Sequence, residues 1–255
     1  MVDLLGVGRF NYKDYCGYWA ENDDENLYDY NIKHRYNDMQ LNGWLDAKSA
    51  IVYQFNSWGF RSTEFNSTGG IMFLGCSHVA GIGLPEIDTF SHIVSNRLNL
   101  DLYRMGVGGG SNDAAFRIAD YWIPRLKPSV VVLVQTYNWR LELLTVDRIY
   151  NINTGHSTEY TNSAYYRTFV STEENGKLLQ KKNCYAVQQL CKAHNSKFIT
   201  IEADSNMFRS AESLGYARDL AHIGKKGNQY LANIITDMVE SNQSNHCPRP
   251  SEENG

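Results

Sequence analysis

Ile71-Met72-Phe73-Leu74-Gly75-Cys76-Ser77-His78 is an apolar run that stops at a small residue and then presents a hydroxyl. A short apolar run closed by a turn residue reads as a buried strand, and everything downstream alternates with it. Residues 85–98 carry Ile87, Phe90, Ile93, Val94 and Leu98, an inward helical stripe with a proline in its first turn. Residues 102–107 form a second strand that runs into Gly108-Gly109-Gly110-Ser111-Asn112. Ser111 or Asn112 can cap a helix whose inner face holds Ala115, Ile118, Ala119 and Trp122. Val130 to Val134 contains only valine and leucine, as suits a central parallel strand covered on both faces. A helix over 177–194, a strand over 197–203 and a last helix over 225–240 complete the series. Strands separated by helices imply a parallel sheet with right-handed crossovers and helices on both faces.

The flanks differ from this unit. Residues 1–69 are polar, aromatic and irregular, and are expected to form an extension packed on the main domain. Its acidic run Glu21-Asn22-Asp23-Asp24-Glu25 reads as a solvated loop, and residues 51–55 as a short strand. The main domain is expected over 70–241, with a polar insertion around 140–176 that is long for a plain connection. Residues 242–255 read as a disordered tail.

The 255 residues suffice to bury a core without metals or disulfides. A formal charge of -4 gives no electrostatic reason to expect nucleic acid. Cys16, Cys76, Cys184, Cys191 and Cys247 have neither a CxxC nor a framework spacing, and read as reduced thiols. His34, His92, His156 and His194 lack metal-ligand spacing, so no metal and no cofactor is expected. The first twenty residues show no apolar signal core, and no run approaches the ~18 residues of a membrane span. An intracellular protein without membrane insertion is expected, compatible with release by lysis or assembly into a virus particle.

In parallel sheets, reactive groups collect in loops at the carboxyl ends of strands. Ser77, Gly108 to Asn112, and Gln135-Thr136-Tyr137-Asn138 follow three successive strands, and Asp219-Leu220-Ala221-His222 opens the last helix. These supply a nucleophile, its base and the base's orienter in the chain order Ser…Asp…His. Asp219 would fix the tautomer of His222, leaving the other ring nitrogen to take the Ser77 proton. The Ser77 and Gly109 backbone N–H groups and the Asn138 amide are candidate oxyanion donors. His78, Thr136 and Arg140 would line the substrate. A serine after a strand is commonly only a helix cap, as is an Asp at a helix start; joint order and placement separate this set from those readings. Gly106-Val107-Gly108-Gly109-Gly110-Ser111 also suggests a dinucleotide loop, but Ser111 replaces its last glycine and no partner acid follows.

The four blocks together resemble the SGNH hydrolases, the GDSL-type esterases and lipases. Gly75-Cys76-Ser77-His78 is similar to the nucleophile block, with Cys76 where Asp is usual. Gly106 to Ser111 resembles the glycine block, with Gly109 at the oxyanion glycine. Thr136-Tyr137-Asn138-Trp139 keeps only the Asn of the third block, and Asp219-Leu220-Ala221-His222 matches the fourth fully. The resemblance implies a three-layer α/β/α flavodoxin-like fold and a serine esterase acting through an acyl-enzyme. The polar, aromatic flanks lack a long apolar cap, which favours a short acyl group such as acetyl on a carbohydrate. A lipase, a lysophospholipase or an acyltransferase would use the same three residues. A binding or structural module that has lost turnover is the reading from another class, motivated by the changes around Asn138. The oligomeric state is left open.

Overall fold

The apolar run at Ile71 is a strand buried along its whole length within a four-stranded parallel sheet. The computed structural model describes residues 12–144, 149–153 and 172–241. In chain order they form β1 (Cys16–Gly17), α1 (Glu25–His34), α2 (Tyr36–Leu41), β2 (Tyr53–Gln54), β3 (Ile71–Gly75) and the short α3 (Ser77–Ala80). A 3-10 turn (Glu86–Asp88), α4 (Phe90–Leu98), β4 (Leu102–Gly106), α5 (Asn112–Leu126) and β5 (Val130–Gln135) follow. β6 (Arg140–Leu144) and β7 (Ile149–Asn153) are succeeded by α6 (Glu173–Ala193), β8 (Lys197–Glu202), α7 (Asn206–Glu212) and α8 (Lys225–Glu240).

The sheet order is β4-β3-β5-β8, all parallel, the flavodoxin-like arrangement in which the first strand is flanked by the second and third. Two-residue periodicity divides each central strand between two cores. Met72, Leu74, Val131 and Leu133 face one side, where Trp122 and Ile118 of α5 and Val187 of α6 cover them. Ile71, Phe73, Val130, Val132 and Val134 face the other, against Phe90 and Val94 of α4 and Leu231 and Ile235 of α8. The result is the three-layer α/β/α sandwich. Its switch point lies where β4 and β5 leave β3 in opposite directions, at the carboxyl end that carries Ser77.

Several expectations are corrected. The stripe over 85–98 is not one helix: Thr89 accepts the His92 N–H, caps α4 and breaks it from the preceding 3-10 turn. Ile87 therefore falls outside the stripe and is exposed. The N-terminal region carries two helices, α1 and α2, and its acidic run is not all solvated. Asp24 caps α1, and Asp23 is 1% exposed. A third core joins Tyr28, Met39, Trp44 and Tyr53 of this region to Ile82, Leu84, Ala217 and Leu220 of the sheet unit. Helix α7, unsignalled in the sequence reading, is capped by Ser205. Cys16, Cys76 and Cys191 are free, but Cys184 is disulfide-bonded, so the thiols are not uniformly reduced. Cys191 is no partner for it, since seven residues of helix separate two side chains by ~10 Å.

In the expected insertion, β6 and β7 pair as an antiparallel hairpin; residues 145–148 and 154–171 lie outside the described residues. So does the expected tail, 242–255. No helix among the described residues is long and apolar enough to cross a membrane.

Candidate active site

Ser77 is the first residue of α3, so the chain turns directly from the end of β3 into a helical backbone with its hydroxyl at the sheet edge. His222 arrives from the loop before α8, and its Nε2 accepts the Ser77 Oγ–H at 2.7 Å. Its Nδ1–H donates to Asp219 Oδ2. Asp219 Oδ1 accepts the backbone N–H groups of Ala221 and His222, both at 3.1 Å. The carboxylate is thus held on both oxygens, in a position 3% exposed.

Between Asp219 and His222, Leu220 has φ 54, a left-handed conformation that is costly for a branched side chain. Its side chain is buried in the N-terminal core, and its N–H bonds the Ala217 carbonyl at 2.9 Å. Packing therefore holds a backbone turn that local preference opposes. That turn aims Asp219 and His222 together.

Charge coupling follows from this geometry. Burial alone disfavours the His222 imidazolium, but the Asp219 charge and hydrogen bond outweigh it and raise the pKa above 6.5. Burial would likewise raise Asp219, yet His222 and the two N–H donors hold it below the usual carboxylate value. Beside them, burial and then the His222 charge lower His78 to about 3, so it stays neutral. Its ring stands edge-on to His222 and Phe208.

The two walls differ. On the β4 side, Gly109 has φ 65, which glycine adopts without strain. The Glu21 carboxylate lies against Gly108 where any side chain would stand. The Ser77 and Gly109 N–H groups, both proposed oxyanion donors, have no protein acceptor among the described residues. On the β5 side, Thr136 is 2% exposed. Asn112 bonds both its N–H and carbonyl, and its hydroxyl accepts from Arg140 Nη1 at 3.0 Å. Asn138 turns its carbonyl and Cβ toward Gly176 of α6, and its amide makes no hydrogen bond to Ser77 or His222. Thr136 thus supports Arg140, while the Asn138 backbone abuts Gly176 of α6. No group of metal-ligating side chains occurs among the described residues.

No family model matches the chain, and no curated protein does. Among solved structures it is similar to a psychrotrophic esterase from Pseudoalteromonas sp., with 14% identity and a TM-score of 0.44 over 67% of this chain and 98% of that one. It is also similar to an acetyl xylan esterase, at 15% identity and TM-score 0.40 over 66% and 98% of the two chains. An acetylxylan esterase from Geobacillus stearothermophilus gives 12% identity and TM-score 0.37 over 69% and 97%. All three likenesses are distant.

Three buried arginines, missed by the sequence reading, anchor this edge. Arg218 adjoins Asp219 and pairs with Asp23, donating from Nη2 at 2.7 Å and from Nε at 3.0 Å. It also donates to the carbonyls of Tyr18, Ala47 and Lys48, and lies 4.2 Å from the Trp19 ring centroid. Tyr53 links the pair onward, donating to Asp23 at 2.6 Å and accepting the Gly83 N–H at 2.7 Å. Arg61 bonds the carbonyls of Ala80, Gly81 and Leu84, just after the Ser77 helix. Arg104 bonds Ser91, Glu86 and the Arg61 carbonyl. The N-terminal region is therefore wired to both the Ser77 turn and the His222 loop.

Breaking a fully buried ion pair from one side strands the other charge, which costs about 3–5 kcal/mol. Arg218→Met should accordingly lower Tm by roughly 10 °C, measured by calorimetry. A change under ~2 °C would mean that the pair contributes little to the fold.

Proposed function

We propose that this protein is a serine esterase of the SGNH type. The observation that carries the reading is the unbroken relay from Ser77 Oγ through His222 to Asp219, with 2.7 Å at the proton-transfer step. Ser77 Oγ attacks the ester carbonyl carbon while its proton passes to His222 Nε2, and the imidazolium is stabilised by Asp219. The Ser77 and Gly109 N–H groups receive the developing oxyanion, and collapse expels the alcohol, which takes the proton from Nε2. A water molecule then gives its proton to Nε2 and attacks the acyl carbon; the bond to Oγ breaks as Nε2 returns the proton to it, releasing the acid and restoring Ser77. The Asn138 amide is the third candidate donor to the same oxygen.

The finer reading is a short acyl ester on a carbohydrate. What supports it is that the loop after β5 presents the stacked Tyr137 and Trp139 beside the Arg140 cation rather than an apolar run. Hydrolysis of a panel of p-nitrophenyl esters and sugar acetates tests it: the acetate should be preferred, and a preference for long chains would point to a lipase.

The upward shift of His222 sets the pH dependence. Base catalysis needs Nε2 unprotonated, so kcat/KM should rise with pH through a midpoint above 6.5, the ordinary histidine value. A midpoint below that value contradicts the coupling to Asp219. The sign for folding is opposite: a raised native pKa stabilises fully below the unfolded value, and this is lost as pH climbs through the native one.

A further inference from the structure

Arg140 is a half-buried cation on the β5 wall with no carboxylate partner among the described residues. Arg218, Arg104 and Arg117 near the same sheet each pair with an acid: Asp23, Glu86 and Glu142. The Arg140 guanidinium instead makes one hydrogen bond, from Nη1 to the Thr136 hydroxyl, and its Nε is buried without a partner among the described residues. Glu212 and Asp204 lie near enough to influence the Tyr137 hydroxyl but do not pair with Arg140. Partly desolvating a guanidinium while leaving its fork open is unfavourable unless something else completes it.

The surroundings suggest what completes it. Tyr137 and Trp139 stack on one another at 5.0 Å and 8°, and the guanidinium carbon stands 5.2 Å from each ring centroid. Trp139 is 37% exposed, offering apolar surface beside the cation. The Arg140 charge also acts on His78, whose ring centroid stands 5.2 Å from that of His222. The neutral His78 adds no second charge, and Glu21 lies across the site against Gly108. A planar fork beside an aromatic face fits a ring that bears a carboxylate.

We propose that Arg140 anchors the carboxylate of an acidic sugar, so that the ester acted on belongs to a uronic-acid glycan whose ring lies against Trp139. The turnover part rests on the esterase reading; the binding part does not.

The test therefore uses two measurements on the full chain. The first is kcat/KM for O-acetylated trigalacturonate against the same trisaccharide with its carboxylates converted to primary amides. The wild type should prefer the acid, and Arg140→Gln should reduce that preference about 10- to 100-fold, mostly through KM. Arg140→Lys, which keeps the charge but not the fork, should fall between the two. The second is calorimetric binding of unacetylated trigalacturonate to Ser77→Ala, expected to weaken with salt and with Arg140→Gln. Equal losses on acid and amide, or absence of any preference in the wild type, overturn the proposal. Hydrolysis of no ester, with Arg140-dependent binding retained, removes the esterase reading and leaves the carboxylate site standing. Should Arg140→Gln fail to fold, the lysine variant and the acid-to-amide ratio of the wild type still decide.

Discussion

Ser77→Ala is expected to lower ester hydrolysis by a factor on the order of 10⁵–10⁶, leaving only what oriented donors and binding provide. The side chain lost is a single hydroxyl whose hydrogen bond is to His222, so folding should be nearly unaffected. Equal Tm and a collapsed kcat are therefore the joint signature. A fluorophosphonate offers an independent readout: it should add once, at Ser77, and His222→Ala should abolish the adduct. Substantial hydrolysis by the alanine variant, or labelling at another residue of a folded protein, would end the proposed mechanism. Absence of labelling in the wild type would favour a module that keeps the fold without turnover.

Asp219→Asn should cost about 10⁴ in kcat for a different reason. The amide oxygen can still accept the Ala221 and His222 N–H groups that Asp219 Oδ1 accepts, so the turn survives. The amide nitrogen is a donor and cannot accept the Nδ1 proton, which favours the wrong tautomer and removes the charge that raises His222. The acid limb of the residual rate should consequently move to lower pH. Alanine would confuse this result by also removing the turn's acceptor. An asparagine variant with kcat within tenfold of wild type would show that Asp219 acts only as a cap.

The legible parts of the fold were those governed by local pattern. β3, β4, β5, β8 and α8 sit where apolar runs and stripes locate them, because a strand covered on both faces and an amphipathic helix must write their burial into composition. The N-terminal region was opaque. Its helices are held by a core shared with Ile82, Leu84 and Leu220 from elsewhere in the chain, so no single segment displays the stripe. Asp23 read as solvent-facing because its partner Arg218 lies far along the chain. An arginine within the apolar Tyr103-Arg104-Met105 and another beside Asp219 were the available signals for such anchoring. For the candidate site, Ser77, Asp219 and His222 could be singled out by order and strand-end placement. Asn138 could not be judged this way, since the direction of a loop amide depends on the α6 backbone against it.

Residue sequence alone settled where chain segments would be covered on two faces, and hence a parallel sheet, because periodicity is a local property. Tertiary structure alone decided that Leu220 would adopt a left-handed turn and that Asp23, Tyr53 and Arg218 would lock the His222 loop to the N-terminal core. It alone also left the Arg140 fork open. Whether a charge is paired, stranded or available is set by neighbours distant along the chain, and no local pattern encodes them.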